Sequence, residues 1–437
     1  MKPLYLLLLA FSFILPAFAD TENEESWQLI SGSADYEKET EIEADIREGV
    51  TVLIKQSMGP LEVIGWDQDN IKVHGRVEVK GDDADAIGEK IVFEVEADGN
   101  PFVIKACYPE DIPEGTSFAL GLRVWVPRAQ RLELANEYGS TRVTGACGGM
   151  DIESSNGSLR VEEVKGDISL MSEYGSITLR NAEGDVEVKS DDGSIVINEA
   201  RGRFINVRAG YGSIELDEAE GAVTVHSEDG SVKVSRVEGN ARIYNAYGSV
   251  HVNRVVGDCS IQSEDGGIIV KAVDGDLDLK EVTFGSIDIT EVSGNCRISG
   301  EDGGIEVSDV QCDAKIKNTC GSVDVKRIGG SIDVKAEDGG ISIHDISYRR
   351  AGSSEGNKID CSTACGSIEI TLPDPPSFTL DASTLCGSIR SDFTLTGIEK
   401  EDDAQKCRCT LGEGTALITL LTEDGSIRIL CGREKKI

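Results

Sequence analysis

The sequence predicts an all-β protein, a parallel β-solenoid with about 18 residues in each turn. A short phrase ending in Gly-Ser or Gly-Gly returns about every 18 residues between positions 139 and 340, and such a period is typical of stacked repeats. Two of these units are longer by a single residue, and a second glycine falls halfway through nearly every unit. Proline is absent from 128 to 372, as expected of an uninterrupted strand ladder.

The segment 1–19 has the pattern of a cleaved secretory signal. Lys2 precedes an apolar run, and the small-residue sequence Ala17-Phe18-Ala19 ends it. No later apolar run approaches the roughly 18 residues that span a bilayer. We therefore expect an exported bacterial protein, periplasmic or extracellular at the cell surface, without a transmembrane segment.

The segment before the repeats is predicted in two parts. Residues 20–47 are acidic and polar and are expected to form a loosely held leader. Residues 48–135 contain strand-like runs such as 61–65 and 101–106, without the regular period of the repeats. We interpret them as an irregular N-terminal β segment that caps the stack.

Residues 136–352 form the regular part, in which each unit divides into two halves of about nine residues. Apolar residues alternate with polar ones, as at Ile177 and Leu179 around Thr178, so one face of each strand should be buried. Strand twist favours right-handed connections between the strands. The result is a single-stranded parallel β-helix, meaning one chain coiled into successive turns.

The corners that carry the repeated phrase alternate between two kinds. Acid corners contain Asp192, Asp229, Asp265, Asp302 and Asp338; neutral corners contain Tyr138, Tyr174, Tyr211, Tyr247, Phe284 and Cys320. If each turn contains one unit, like charges are separated, whereas a turn of two units would stack them directly. The acid corners are interpreted as solvated turns, with calcium binding as the alternative. The aromatic side chains are expected to pack on one another along the corner, with sugar or partner binding as the alternative.

Residues 353–437 are predicted to form a cysteine-rich C-terminal end of the solenoid. Six of the twelve cysteines lie here: Cys361, Cys365, Cys386, Cys407, Cys409 and Cys431. In an exported protein they are expected to be disulfide staples of the cap, although the sequence leaves their pairing open.

No catalytic, cofactor-binding or metal-binding residues are predicted. The four histidines are scattered without a ligand spacing, and no GxSxG motif occurs. The formal net charge of −36 excludes nucleic acid as a partner, because phosphate binding depends on Lys and Arg.

The chain resembles the bacterial putative-adhesin family, domains of unknown function built from G-[SD]-[IV] half-turns. The resemblance lies in the segments 59–79, 122–143, 184–197 (GDVEVKSDDGSIVI) and 416–430. It implies an exported or membrane-linked β-solenoid and no catalytic residues.

We therefore expect an exported, non-enzymatic scaffold or adhesin-like binding surface in the cell envelope, with a protein or glycan partner. The alternatives are a carbohydrate-active enzyme of the parallel β-helix type and an envelope filament protein that self-associates end to end.

Overall fold

The computed structural model of the chain describes residues 33–109, 111–352 and 354–432. It is all-β, with 69% strand and 1% helix, about 12 solenoid turns and parallel bridges about 18 residues apart. The predicted fold class and turn length are therefore confirmed, while the right-handed winding stays a prediction. The predicted signal and the first part of the leader lie outside the described residues.

The chain divides into two compact units, the first comprising residues to 184 and 188–193, the second residues 185–187 and from 194 onward. The first contains a short helix, α1 (Ala84–Gly88), and most of β14. Its strands are β1 (Tyr36–Asp45), β2 (Val52–Gln56), β3 (Leu61–Trp66), β4 (Asn70–Lys80), β5 (Val92–Glu96), β6 (Phe102–Cys107), β7 (Ser117–Pro127), β8 (Leu132–Tyr138), β9 (Thr141–Thr144), β10 (Met150–Asn156), β11 (Leu159–Lys165), β12 (Ile168–Tyr174), β13 (Ile177–Glu183) and β14 (Val186–Asp192).

The second unit consists of strands β15 to β37. They are β15 (Ile195–Tyr211), β16 (Ile214–Asp229), β17 (Val232–Glu238), β18 (Ala241–Tyr247), β19 (Val250–Val256), β20 (Cys259–Asp265), β21 (Ile268–Val273), β22 (Leu277–Phe284), β23 (Ile287–Val292), β24 (Cys296–Asp302), β25 (Ile305–Val310), β26 (Ala314–Cys320), β27 (Val323–Ile328), β28 (Ile332–Asp338), β29 (Ile341–His344), β30 (Lys358–Cys365), β31 (Ile368–Pro373), β32 (Phe378–Cys386), β33 (Ile389–Ser391), β34 (Ile398–Glu401), β35 (Ala404–Leu411), β36 (Ala416–Asp424) and β37 (Ile427–Gly432).

Each regular turn contributes two strands, one to each of two parallel ladders. In the second unit Val225 lies opposite Ile243, and Val234 lies opposite Val252, so the members of each pair are one turn apart. These side chains are fully or almost fully buried. The period-2 alternation therefore places a column of Val, Ile and Leu between the two ladders.

The two longer units of the sequence coincide with irregularities in the ladder. The register between β15 and β16 shifts between Arg201 and Phe204, and that between β20 and β22 shifts between Gln262 and Asp265. An extra residue in one strand of a pair is a β-bulge, so the longer units lengthen one strand locally and leave the rest in register.

The stack begins earlier than the sequence predicts. Strand β2 pairs in parallel with β8, and β3 with β9, so the segment at 48–135 already contains solenoid turns. Strand β6 pairs with the other edge of β2, and β7 with that of β3. The turn formed by β2 and β3 thus lies between the turn formed by β6 and β7 and the regular stack, which begins with β8 and β9.

Antiparallel strands cover this end of the first unit. Strand β5 pairs with β6, and β4 pairs with β7. Strand β1 pairs with β4 over its whole length, Tyr36 to Asp45. The prediction of a loosely held leader to residue 47 is therefore wrong for these residues, because a free edge of β4 was available to pair with them.

The C-terminal end of the second unit has the same arrangement. Strand β36 pairs with both β30 and β32, and β37 pairs with both β31 and β33. The last turn of the chain, formed by β36 and β37, therefore lies between the two turns that precede it in sequence. Strand β35 covers β32 in antiparallel orientation, and β34 covers β35.

All twelve cysteines lie within the described residues, and all have free thiols. The disulfide staples expected at the C-terminal end are therefore not formed in this structure. Cys259, Cys296 and Cys361 are buried in the apolar columns, where a thiol packs as a small apolar side chain. Among the described residues there is no helix long and apolar enough to cross a membrane.

Candidate functional site

Each turn reverses direction at two corners, which differ in structure. The ridge corner carries the repeated phrase, and its glycines from Gly139 to Gly366 lie at positive φ. At Gly230 φ is +151°, and an added Cβ would lie 2.2 Å from the carbonyl oxygen of Gly212 one turn earlier. Only glycine fits this conformation and this approach. The mid-turn corner lies half a turn away, at the second glycine of each unit.

A column of buried small polar side chains lies beneath the ridge corner, three residues before its glycine. In the second unit Thr363 donates a hydrogen bond to the carbonyl oxygen of Gly339 (3.0 Å), and Thr422 to that of Gly366 (2.8 Å). The carbonyls of Gly339 and Gly366 thus obtain partners inside the turn. The sequence shows this column as a Ser, Thr or Asn that recurs three residues before most of the ridge glycines.

The residues that directly precede the ridge glycines form the ridge column. Acid and neutral residues alternate along it, as expected if each turn contains one 18-residue unit. In the second unit each aspartate lies between two neutral residues, and the register pairs the column in the order Tyr211, Asp229, Tyr247, Asp265, Phe284, Asp302 and Cys320. In the first unit Tyr138, Asn156 and Tyr174 are paired in order. A rise of about 4.8 Å per turn places successive aromatic residues about 9.6 Å apart.

The aromatic rings of the ridge column project into solvent. Tyr211, Tyr247 and Phe284 in the second unit, like Tyr138 and Tyr174 in the first, are 53 to 60% exposed. The prediction that these rings pack on one another along the corner is wrong, because the register inserts an aspartate between each pair of rings in the second unit. The rings are free to contact a partner.

The ridge aspartates are exposed and uncompensated. No described lysine or arginine forms an ion pair with Asp229, Asp265 or Asp302, whereas several acids on the strand faces are paired, as in Lys233 with Glu215 at 2.7 Å. Consecutive acid corners lie two turns, about 9.6 Å, apart. One calcium ion, with oxygen ligands at about 2.3–2.6 Å, cannot bridge them. Calcium at these corners has no support from this geometry, and the described residues form no group of three or more metal-ligating side chains.

The mid-turn corner uses its polar residues for structure. In successive turns, a residue with left-handed backbone conformation directly precedes the buried apolar residue of this corner. Examples are Arg236 (φ 53°) before Val237 and Arg254 (φ 63°) before Val255. The residues that follow the mid-turn glycines form a ladder of hydrogen bonds. In each step a side-chain oxygen accepts a hydrogen bond from the backbone N–H of the corresponding residue one turn later. Asp258 Oδ1 accepts from the Asp276 N–H (2.9 Å), and Asp276 Oδ1 accepts from the Asn295 N–H (2.7 Å). These acids are occupied in holding the turns together.

Three of the free thiols belong to the ridge column. Cys320, Cys365 and Cys386 are all exposed, and they take the place of the aromatic residues in the last turns of the second unit. Burial instead raises the pKa of the Cys259 and Cys296 thiols to about 12. The column therefore presents rings along one part of the second unit and thiols along another.

The repeat, the two-cornered turn and the ridge agree with the Toastrack family, DUF4097, whose model matches residues 126–241, 181–299 and 244–430. These matches together extend over more than half of the chain, so the chain belongs to this family. No curated protein matches the sequence.

Several solved structures are similar to this chain. One is a putative cell adhesion protein from Clostridium sporogenes, with 7% identity and a TM-score of 0.23, covering 91% of this chain and 100% of that one. A putative adhesin from Bacteroides fragilis has 16% identity and a TM-score of 0.31, covering 57% and 96%. A putative adhesin from Parabacteroides merdae has 10% identity and a TM-score of 0.24, covering 71% and 97%.

Proposed function

We propose that this protein is a non-enzymatic binding protein of the cell envelope, exported through a cleaved signal at residues 1–19, and that its ridge column holds an extended neutral glycan. The observation that carries the proposal is the alternation of exposed aromatic rings with uncompensated carboxylates, one turn apart, in the second unit. The family membership supports a binding or scaffold role.

The chemistry of the ridge suits a sugar chain. The apolar face of a sugar ring packs on Tyr or Phe, and ionised carboxylates accept strong hydrogen bonds from hydroxyl groups. The aromatic spacing of about 9.6 Å is close to the repeat of an extended β-1,4-linked disaccharide. The net charge of −36 disfavours acidic polysaccharides by repulsion, so a neutral glycan is the better fit.

The test is calorimetry and affinity electrophoresis with cello- and chito-oligosaccharides of increasing length. We expect affinity to rise with length until the oligosaccharide spans Tyr211, Tyr247 and Phe284, because each ring adds a contact. Replacing Tyr247 and Phe284 by Ala should weaken binding at least tenfold, about 1.4 kcal/mol.

The matched control is Phe204→Ala. Phe204 is 53% exposed, as Phe284 is, but lies on a strand outside the ridge column. Absence of binding to any neutral glycan, or equal weakening by Phe204→Ala, would contradict the glycan proposal.

The enzyme alternative finds little support at the ridge. A catalytic general acid needs a carboxyl group whose pKa is raised by burial, and Asp229, Asp265 and Asp302 are exposed. Hydrolysis of a polysaccharide that is lost in Asp229→Ala or Asp265→Ala would favour the enzyme instead.

The filament alternative is disfavoured by the antiparallel strands at the ends. Strands β4 and β5 cover β7 and β6 in the first unit, and β35 covers β32 in the second. Covered edges do not offer a parallel ladder for another copy to extend. Concentration-dependent fibres in light scattering under reducing conditions would revive this alternative.

A further inference from the structure

The thiols of the ridge column are evenly spaced. Cys320 pairs with Asp338, and Asp338 with Cys365. Asp424 pairs with both Cys365 and Cys386. The column therefore runs Cys320, Asp338, Cys365, Asp424, Cys386, one residue per turn.

This even spacing arises because the last turn of the chain is inserted between the two turns that precede it in sequence. Strand β36 lies between β30 and β32, which separates Cys365 from Cys386 by the same two turns that separate Cys320 from Cys365. Without the insertion of β36, Cys386 would lie directly beside Cys365. The sequence, in which the two intervals are unequal, does not show this symmetry.

The three thiols cannot form disulfides with one another within the chain. Two turns correspond to about 9.6 Å, whereas the Cα atoms of a disulfide lie no more than about 7 Å apart. The ladder hydrogen bonds on both sides fix the spacing. Each of the three thiols is exposed, so a thiol or disulfide outside the chain can reach it.

We propose that this row of thiols links two copies of the protein in antiparallel register under oxidising conditions. A two-fold axis that runs midway between the two Cys365 residues, perpendicular to both ridges, places Cys365 opposite Cys365 of the second copy and Cys320 opposite its Cys386. A self-complementary patch is what a two-fold interface requires. The proposal does not depend on glycan binding, which involves other members of the ridge column.

The oxidation can be supplied by a low-molecular-weight disulfide such as oxidised glutathione. A ridge thiolate attacks the glutathione disulfide and releases one glutathione thiolate, which takes up a proton. The thiolate of the second copy then attacks the mixed disulfide and releases the other glutathione. For each link, two protein thiols are oxidised and one glutathione disulfide is reduced to two thiols.

The charges of the ridge give the interface a distinctive salt dependence. The residues beside the thiols are uncharged, Thr319, Ala364 and Leu385, so the thiols meet without direct repulsion. The two-fold register does place Asp338 opposite Asp424 of the second copy. Their repulsion should slow linkage, and salt should screen it.

The experiment uses the full chain in glutathione redox buffers, with light scattering for mass and peptide mapping for the linked cysteines. We expect a monomer under reducing conditions and a covalent dimer under oxidising ones, with Cys365–Cys365 and Cys320–Cys386 links between copies. Replacing Cys320, Cys365 and Cys386 together by Ser should abolish the dimer, while Cys312→Ser, at the mid-turn corner, should leave it. Circular dichroism checks that both variants fold.

Three outcomes would overturn the proposal: a chain that stays monomeric with oxidised glutathione, an intrachain Cys365–Cys386 link, or a covalent dimer that persists in the triple Ser variant. The double variant Asp338→Asn with Asp424→Asn sharpens the test. We expect it to form the dimer several-fold faster than the wild type at low salt and at a similar rate at high salt. A rate unchanged at low salt would contradict the antiparallel register.

Discussion

The two corners of each turn perform the same chain reversal in different ways. At the ridge corner, stacked glycines make the turn, and Thr363 and Thr422 of the buried polar column bond to ridge carbonyls from within. The residue before the glycine is therefore free to vary. At the mid-turn corner, left-handed residues and the Asx ladder occupy the polar side chains. Variable chemistry is therefore found at the corner where the backbone does not depend on that side chain.

The largest expected difference is in thiol reactivity. Cys320, Cys365 and Cys386 are exposed on the ridge, whereas Cys259 and Cys296 are buried with a pKa of about 12. Because the thiolate is the nucleophile, iodoacetamide at pH 8 should label the ridge thiols at least about a thousand times faster. Mass spectrometry of the folded protein measures this, and equal labelling would show that the core opens.

A smaller difference between the corners is expected in how much the substitution of a glycine lowers the free energy of unfolding. Gly230→Ala places a Cβ 2.2 Å from the Gly212 carbonyl at a φ of +151°, and we expect a loss of about 3 kcal/mol in the free energy of unfolding. Gly294→Ala, at the mid-turn corner, also places a Cβ close to backbone, 2.5 Å from the Gly275 carbonyl oxygen. It should still cost less, because no left-handed strain is added there and Cys312 occupies the same column one turn on. Urea denaturation of both variants is the measurement. Equal losses would remove this distinction between the corners.

A smaller effect is expected in the polar column beneath the ridge. Thr363→Val deletes the hydrogen bond to the Gly339 carbonyl and should cost about 1–2 kcal/mol, because a buried acceptor loses its partner. Ser263→Ala is the control, since the Ser263 hydroxyl has no hydrogen-bond partner among the described residues. It should be nearly neutral in urea denaturation. A large loss in the control would show that the column stabilises by another means.

The smallest effect is the acid dependence of the mid-turn corner. The Arg327 guanidinium, hydrogen-bonded to Asp309, holds the pKa of that carboxyl below its ordinary value. The pair therefore stabilises the fold above the ordinary Asp pKa, and this contribution is lost as the pH falls through the lowered one. Because both side chains are partly exposed, Asp309→Asn should cost only about 0.5 kcal/mol at pH 7, and less as the pH falls below the ordinary Asp pKa. Unfolding at pH 7 and across this acidic range measures it, and an equal loss throughout would exclude the ionic origin.

The fold class, the length of the turn, the buried columns and the alternation of aspartate with neutral residues at the ridge corner can all be predicted from the sequence. These follow from local rules, since period-2 alternation sets which side chains are buried and glycine sets where the chain turns. The sequence also carried the polar column as a recurrent residue type, although its purpose depends on where the Gly339 and Gly366 carbonyls point.

The arrangement of the ends and the spacing of the exposed thiols depend on tertiary pairing and could not be predicted from the sequence. The position of β36 between β30 and β32, and the pairing of β1 with β4, depend on which strand edges are free once the other turns have formed. No local pattern encodes such a choice between edges. The even spacing of Cys320, Cys365 and Cys386 is a consequence of that choice, because residues distant in sequence become successive members of one column only when their strands pair.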